Sequence, residues 1–195
     1  MAERRFSHAI AEGDGISVIA AVEDPDAARA AESQRAEALV VRGDPAPVRE
    51  ATSLPILWRA EVSVDEAAHV SDAYLVVFDA LDDDDGRFED LHRRALELGL
   101  DFAVEVRDED ELEQALDRVD PEIFLLSPAE ADHDETPLEV VLDLLAAVPA
   151  GKLAIADLPQ TTPHEVQELE RAGCDAVIVY SRDLSPLVGG PPPEV

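Results

Sequence analysis

Phe88-Glu-Asp-Leu-His-Arg-Arg-Ala-Leu-Glu-Leu-Gly-Leu-Asp-Phe-Ala-Val-Glu-Val106 holds one complete folding unit. Phe88, Leu91, Ala95 and Leu98 recur at helical spacing and form the apolar stripe of an amphipathic helix. Phe102 to Val106 then runs as a short apolar strand opened by an acid, Asp101. The same acid-then-strand signature returns at Glu37-Ala-Leu, Asp72-Ala-Tyr, Glu122-Ile-Phe and Asp175-Ala-Val, a weak internal repeat of βα units.

Working outward, strand-sized apolar runs fall at Ile16 to Val22, Ala38 to Val41, Pro55 to Arg59, Ala73 to Phe78, Phe102 to Val106, Glu122 to Leu126, Leu153 to Asp157 and Ala176 to Tyr180. Their near-continuous apolar content suits parallel strands covered by helices. Helical periodicity separates them, as at Leu112, Ala115, Leu116 and Val119, or Leu138, Val141, Leu142 and Leu145. Thr162-Pro163 before Val166 and Leu169, with Gly173 after, supplies a cap, a first-turn proline and a terminating glycine. Strict alternation predicts an α/β fold, a compact (β/α)8 TIM barrel over residues 1–187. The helix after strand two is shortened to about Pro47 to Thr52. Little is left for one after strand eight, and residues 188–195, a Gly/Pro-rich tail, read as disordered.

Composition bounds the partners. Lysine occurs once, at Lys152, and 45 acids against 15 Lys and Arg give a net charge of -30. Such a surface excludes nucleic acid and anionic membranes, and it fits a salt-rich, halophile-type cytoplasm that screens the self-repulsion. No apolar run is long enough for a membrane span. No cofactor motif is present: there is no Gly-x-Gly-x-x-Gly, Walker loop, nucleophile elbow or cysteine pair. Cys174, the lone cysteine, precedes a strand and reads as a small buried residue. Asp82-Asp-Asp-Asp-Gly86 fails as a calcium loop, since an EF-hand register puts Leu81 and His92 at the key ligand positions. Asp132-His-Asp-Glu135 lacks a second histidine at ligand spacing, so no metal site is assigned.

At its strand ends the chain resembles indole-3-glycerol phosphate synthase, a ribulose-phosphate-binding barrel of tryptophan biosynthesis. The resemblance is carried by the amphipathic stretch Phe6 to Ile10, Gly15-Ile-Ser-Val-Ile-Ala, Leu54-Pro-Ile-Leu, Leu96-Glu-Leu-Gly-Leu-Asp-Phe-Ala-Val-Glu-Val and Ala172-Gly-Cys-Asp-Ala-Val-Ile-Val. It implies an active-site role for Glu105. It also implies ring closure by a lysine general acid partnered by carboxylates. The family's Ala-Glu-Ile-Lys on strand one is here Ala20-Ala21-Val22-Glu23, and its Lys-Asp-Phe on strand three is Arg59-Ala60-Glu61. On strand six its Asn, with Arg two residues later, is replaced by Leu126-Ser127-Pro128. Its strand-seven Glu-Ser-Gly is Asp157-Leu158-Pro159, and its strand-eight glycine is Tyr180.

Polar groups at the strand C-termini define the candidate site: Glu105, Arg59 and Asp157 as catalytic candidates, with Glu23, Arg42, Tyr180, Ser181 and Arg182 lining the mouth beside Asp79. Arg59 can pair with an anion but is a poor proton donor, because guanidinium stays charged at any working pH. Lys152 opens strand seven at the opposite face. The plainer reading is that Arg59 and Arg182 only neutralise Glu23, Glu105 and Asp157 inside an inherited barrel. The expected ligand is an anionic small molecule or sugar phosphate. Three roles follow: a catalytically degenerate paralogue that binds or regulates, a lyase with a rearranged site, or an acidic scaffold whose protein partner the sequence does not name. Trp58, next to Arg59, is expected on the outer face of its strand.

Overall fold

The computed structural model describes residues 5–12, 15–60, 62–78, 86–128 and 136–187. Eight parallel strands close into a barrel in sequence order: β1 (Ser17–Val22), β2 (Ala38–Val41), β3 (Ile56–Trp58), β4 (Ala73–Val77), β5 (Asp101–Val106), β6 (Ile123–Leu126), β7 (Leu153–Asp157) and β8 (Ala176–Val179). The ring is sealed by β8 pairing with β1, Ser17 opposite Ala176 through Ala20 opposite Val179. Helix α1 (Arg5–Ala11) precedes the barrel. Helices α2 (Pro25–Ser33), α3 (Ala46–Ala51), α4 (Val64–Val70), α5 (Arg87–Leu98), α6 (Glu109–Val119), α7 (Pro137–Ala147) and α8 (Pro163–Ala172) follow strands one to seven. The TIM-barrel expectation holds.

Period-two alternation sorts each strand into two apolar layers. Ile19, Val40, Leu57, Leu75, Ala103, Ile123, Leu125, Ile155 and Ile178 fill the barrel. Val18, Leu39, Ile56, Val104, Phe124, Leu126, Ala156 and Val177 face outward and pack beneath the helices. Trp58 is on this outer layer, as expected, and its indole N–H donates to the Gly43 carbonyl at 2.8 Å.

The acids that open the strands have a structural task at the barrel floor. An N–H in the opening residues of a strand is left without a ladder partner, and the acid before the next strand accepts it. Glu37 accepts from Val18 N at 2.8 Å, Asp72 from Ile56 N at 2.9 Å, and Asp175 from Ala154 N at 2.8 Å. Burial pushes the Glu37 and Asp175 carboxyls above their usual range, against the pull of these hydrogen bonds. Asp101, 1% exposed, takes a different donor set: Phe6 N at 3.1 Å, Ser7 N at 2.9 Å and Ser7 Oγ at 3.0 Å. It thereby holds α1 across the floor, where Phe6 and Ile10 join the interior cluster.

Helix boundaries follow side-chain capping. Ser63, Thr136 and Thr162 each form a reciprocal capping box with Glu66, Glu139 and Glu165. Pro163 at the start of α8 and Gly173 at its end, φ 89°, match the sequence expectation. The helix after β2 is six residues long, and among the described residues none follows β8. Residues 181–187 instead fold back on α2. The Gln34 amide clamps them, its nitrogen donating to the Arg182 carbonyl at 3.0 Å and its oxygen accepting from Leu184 N at 2.8 Å. The Gly/Pro tail at 188–195 lies outside the described residues.

Cys174 is buried, with its thiol pushed up to about 12 by burial, as befits a packing residue. Lys152 lies at the floor and pairs with Asp120 at 2.7 Å, remote from the mouth. Among the described residues, no helix is long and apolar enough to cross a membrane.

Candidate active site at the barrel mouth

Interior parity brings side chains from alternate strand ends to one point above the core. Glu105 is the last inward residue of β5, opposite Leu125, and Asp157 ends β7 opposite Ile178. Arg59 follows β3, its backbone N–H continuing the ladder to the Val41 carbonyl at 2.8 Å. Its guanidinium forks between the carboxylates: Nη2 donates to Glu105 Oε1 at 3.0 Å and Nη1 to Asp157 Oδ2 at 2.5 Å. The side chains of Arg59, Glu105 and Asp157 are 17%, 5% and 9% exposed, so the cluster is shielded from water. Burial alone would lower the Arg59 pKa, but the charges of Asp157 and Glu105 outweigh it and raise the group above its usual value.

Tyr180, one residue past β8, reaches over this cluster. Its hydroxyl donates to Asp157 Oδ1 at 2.8 Å and accepts from Arg42 Nη2 at 2.9 Å and Arg59 Nη1 at 3.2 Å. The Arg42 guanidinium also lies 5.1 Å from the tyrosine ring centroid, a cation–π contact. Burial first, then the charge of Asp157, pushes the phenol up to about 12.

Five of the eight candidate residues therefore form one network: Arg42, Arg59, Glu105, Asp157 and Tyr180. Glu23 is exposed at the end of β1 and, among the described residues, makes no ion pair with Arg59 or Arg42. Ser181 is exposed and accepts from Asp183 N at 3.2 Å. Together with Arg182 it borders a separate cavity of about 310 Å³ against α2, lined also by Ala20, Ala27, Ala31 and Leu184. Asp79, Asp82 to Asp85 and Asp132 to Glu135 fall outside the described residues.

On strand six, Leu126 lies in the outer layer, and Ser127 is the inward residue, its hydroxyl donating to Asp157 Oδ2 at 3.2 Å. Counting by twos from Ile123 and Leu125 would have reached it. The asymmetry between the two acids is chemical. Among the described residues, Asp157 accepts from Arg59, Ser127 and Tyr180, whereas Glu105 has one donor, and its buried Oε2 has no hydrogen-bond partner. No group of three or more metal-binding side chains occurs among the described residues.

A closed parallel barrel with an ionisable cluster at the C-terminal ends of its strands defines a (β/α)8 barrel whose candidate site lies at the face usual for that class. The family model for indole-3-glycerol phosphate synthase matches residues 46–182, and the chain belongs to that family. The indole-3-glycerol phosphate synthase of Geobacillus sp. (strain WCH70) is 28% identical over 143 residues, 71% of this chain and 55% of that protein. The chain thus spans about half the length of that curated relative. Among solved structures, the N-acetylmannosamine-6-phosphate 2-epimerase of Clostridium perfringens superposes with a TM-score of 0.70 at 14% identity, covering 87% of both chains. A mutant tryptophan synthase alpha-subunit of Pyrococcus furiosus gives 0.66 at 16% identity, covering 87% of this chain and 89% of that one. Both likenesses concern the fold alone.

Proposed function

We propose that this barrel has lost the ring-closing lyase reaction of its family and serves as a binding or regulatory member. The observation that carries this reading is the position of Arg59. Where the family pattern has a lysine, the chain holds a permanently charged guanidinium engaged by two carboxylates. A general acid must release a proton near working pH, and neither Arg59 nor Glu23, in the place of the other lysine, is an ammonium able to do so. Ala21 presents a methyl group where the pattern has a glutamate. Leu158 and Pro159 stand in the loop after β7, where backbone N–H groups of this barrel class receive phosphate. Leu158 is buried, and Pro159 has no N–H to offer.

Purified protein given carboxyphenylamino-deoxyribulose phosphate is expected to produce no indole fluorescence above the uncatalysed rate. Turnover that disappears in Glu105→Gln would instead establish a working lyase, with Glu105 and Asp157 as proton-transfer groups and Arg59 as anion clamp.

A cytoplasm rich in salt is the proposed setting. The melting temperature is expected to climb by several degrees as potassium chloride rises from about 0.1 M to about 1 M, because the screening length shrinks from about 10 Å to about 3 Å. The net charge of -30 then repels itself less. A flat or falling melting temperature would remove the halophilic reading.

A further inference from the structure

We infer that the barrel mouth receives a cationic ligand carrying N–H donors, a primary ammonium or a guanidinium, at the Oε2 oxygen of Glu105. The inference rests on the proposed binding role and specifies its ligand class, replacing the anionic ligand expected from the sequence.

Charge and hydrogen-bond capacity lead to the same chemistry. Among the three shielded side chains one guanidinium, Arg59, faces two carboxylates, Glu105 and Asp157, so this trio carries one negative charge, and Arg42, the further cation of the network, is exposed at the rim. Asp157 is satisfied by three donors. Glu105 Oε2 is buried with none among the described residues, in a residue only 4% exposed. A buried charged acceptor without a donor is costly, so the arrangement favours whatever supplies both a positive charge and an N–H.

Other candidates fail on named contacts. Arg42, the other cation of the network, is exposed, and its contacts among the described residues are with the Tyr180 hydroxyl and ring and not with Glu105. A phosphate would meet an Arg59 fork already divided between two carboxylates, on a protein of net charge -30. A metal ion would lack a third acidic or histidine ligand among the described residues. Tyr180, 38% exposed, lies between the cluster and solvent, its hydroxyl bonded to Asp157 and Arg59.

Calorimetric titration with n-propylamine and with N-methylguanidine tests this, with potassium chloride and inorganic phosphate as controls at equal ionic strength. Wild type, Tyr180→Ala and Glu105→Gln are compared. Saturable binding of at least one organic cation is expected in wild type or Tyr180→Ala. Glu105→Gln is expected to weaken it at least about tenfold, the worth of one charge-assisted hydrogen bond. That variant leaves Arg59 paired with Asp157 in a neutral cluster and is expected to fold. An equal response to potassium would reduce the effect to screening and overturn the assignment. So would binding of phosphate alone, unchanged binding in Glu105→Gln, or no binding in either wild type or Tyr180→Ala. The fluorescence assay for lyase turnover is independent of these titrations, so failure of the ligand class and failure of the lost-catalysis reading are told apart.

Discussion

Arg59→Met is expected to destabilise the fold by about 3–5 kcal/mol, the cost of removing one side of a buried ion pair and stranding the other. Here two charges are stranded. Glu105 and Asp157 would share a water-poor mouth with no counter-charge between them, and the fork now holding them at 3.0 and 2.5 Å would be gone. For a chain of this length the melting temperature should fall by on the order of 10 °C. Denaturant unfolding with an unchanged slope gives the free energy directly. Adding Glu105→Gln to Arg59→Met should recover part of the loss, because contacting residues couple. A cost under about 1 kcal/mol would mean that the mouth is solvated and the pair belongs with ordinary surface salt bridges.

Phe6→Ala is expected to cost about 3–5 kcal/mol, the range for emptying a large aromatic site in a packed core. Phe6 is 0% exposed although it lies in the first turn of the first helix. It fills the floor of the barrel with Ile10, and the backbone N–H groups of Phe6 and Ser7 are fastened to Asp101. A helix of seven residues has little stability of its own, so its order comes from this docking. Hydrogen exchange should accelerate throughout α1 in the variant. A loss below about 1 kcal/mol would show that the floor closes without the helix.

The strand-end residues of the central cluster were legible because barrel sites form at one face, and strand limits can be read from apolar runs. Arg59, Glu105, Asp157, Tyr180 and Arg42 meet on that account. The family comparison left parity out at one place: Leu126, set against a polar family position, packs in the outer layer, while Ser127 is the side chain that reaches Asp157 in the mouth. A slip of one residue reverses the face of every side chain in a strand. Glu23 illustrates a different limit. Its place at the end of β1 was read correctly, but whether a side chain turns toward an arginine depends on distances across the barrel that local spacing does not contain.

The repeated acids before strands were visible as a pattern, and their purpose was not. Three of these carboxylates serve an N–H at the start of the strand beside them, Glu37 that of Val18, Asp72 that of Ile56 and Asp175 that of Ala154, while Asp101 holds α1. Gln34 was invisible for the same reason, since its two partners lie about 150 residues away at Arg182 and Leu184. By itself the sequence determined the alternation of strands and helices, the closed parallel barrel and the identity of the charged groups at its mouth, because apolar periodicity and strand length are local properties. Only the tertiary structure decided that Asp157 is saturated with donors while Glu105 keeps one buried oxygen unpaired. Hydrogen-bond satisfaction depends on side chains from β3, β6, β7 and β8 arriving at one point, and that convergence is set by closure of the ring.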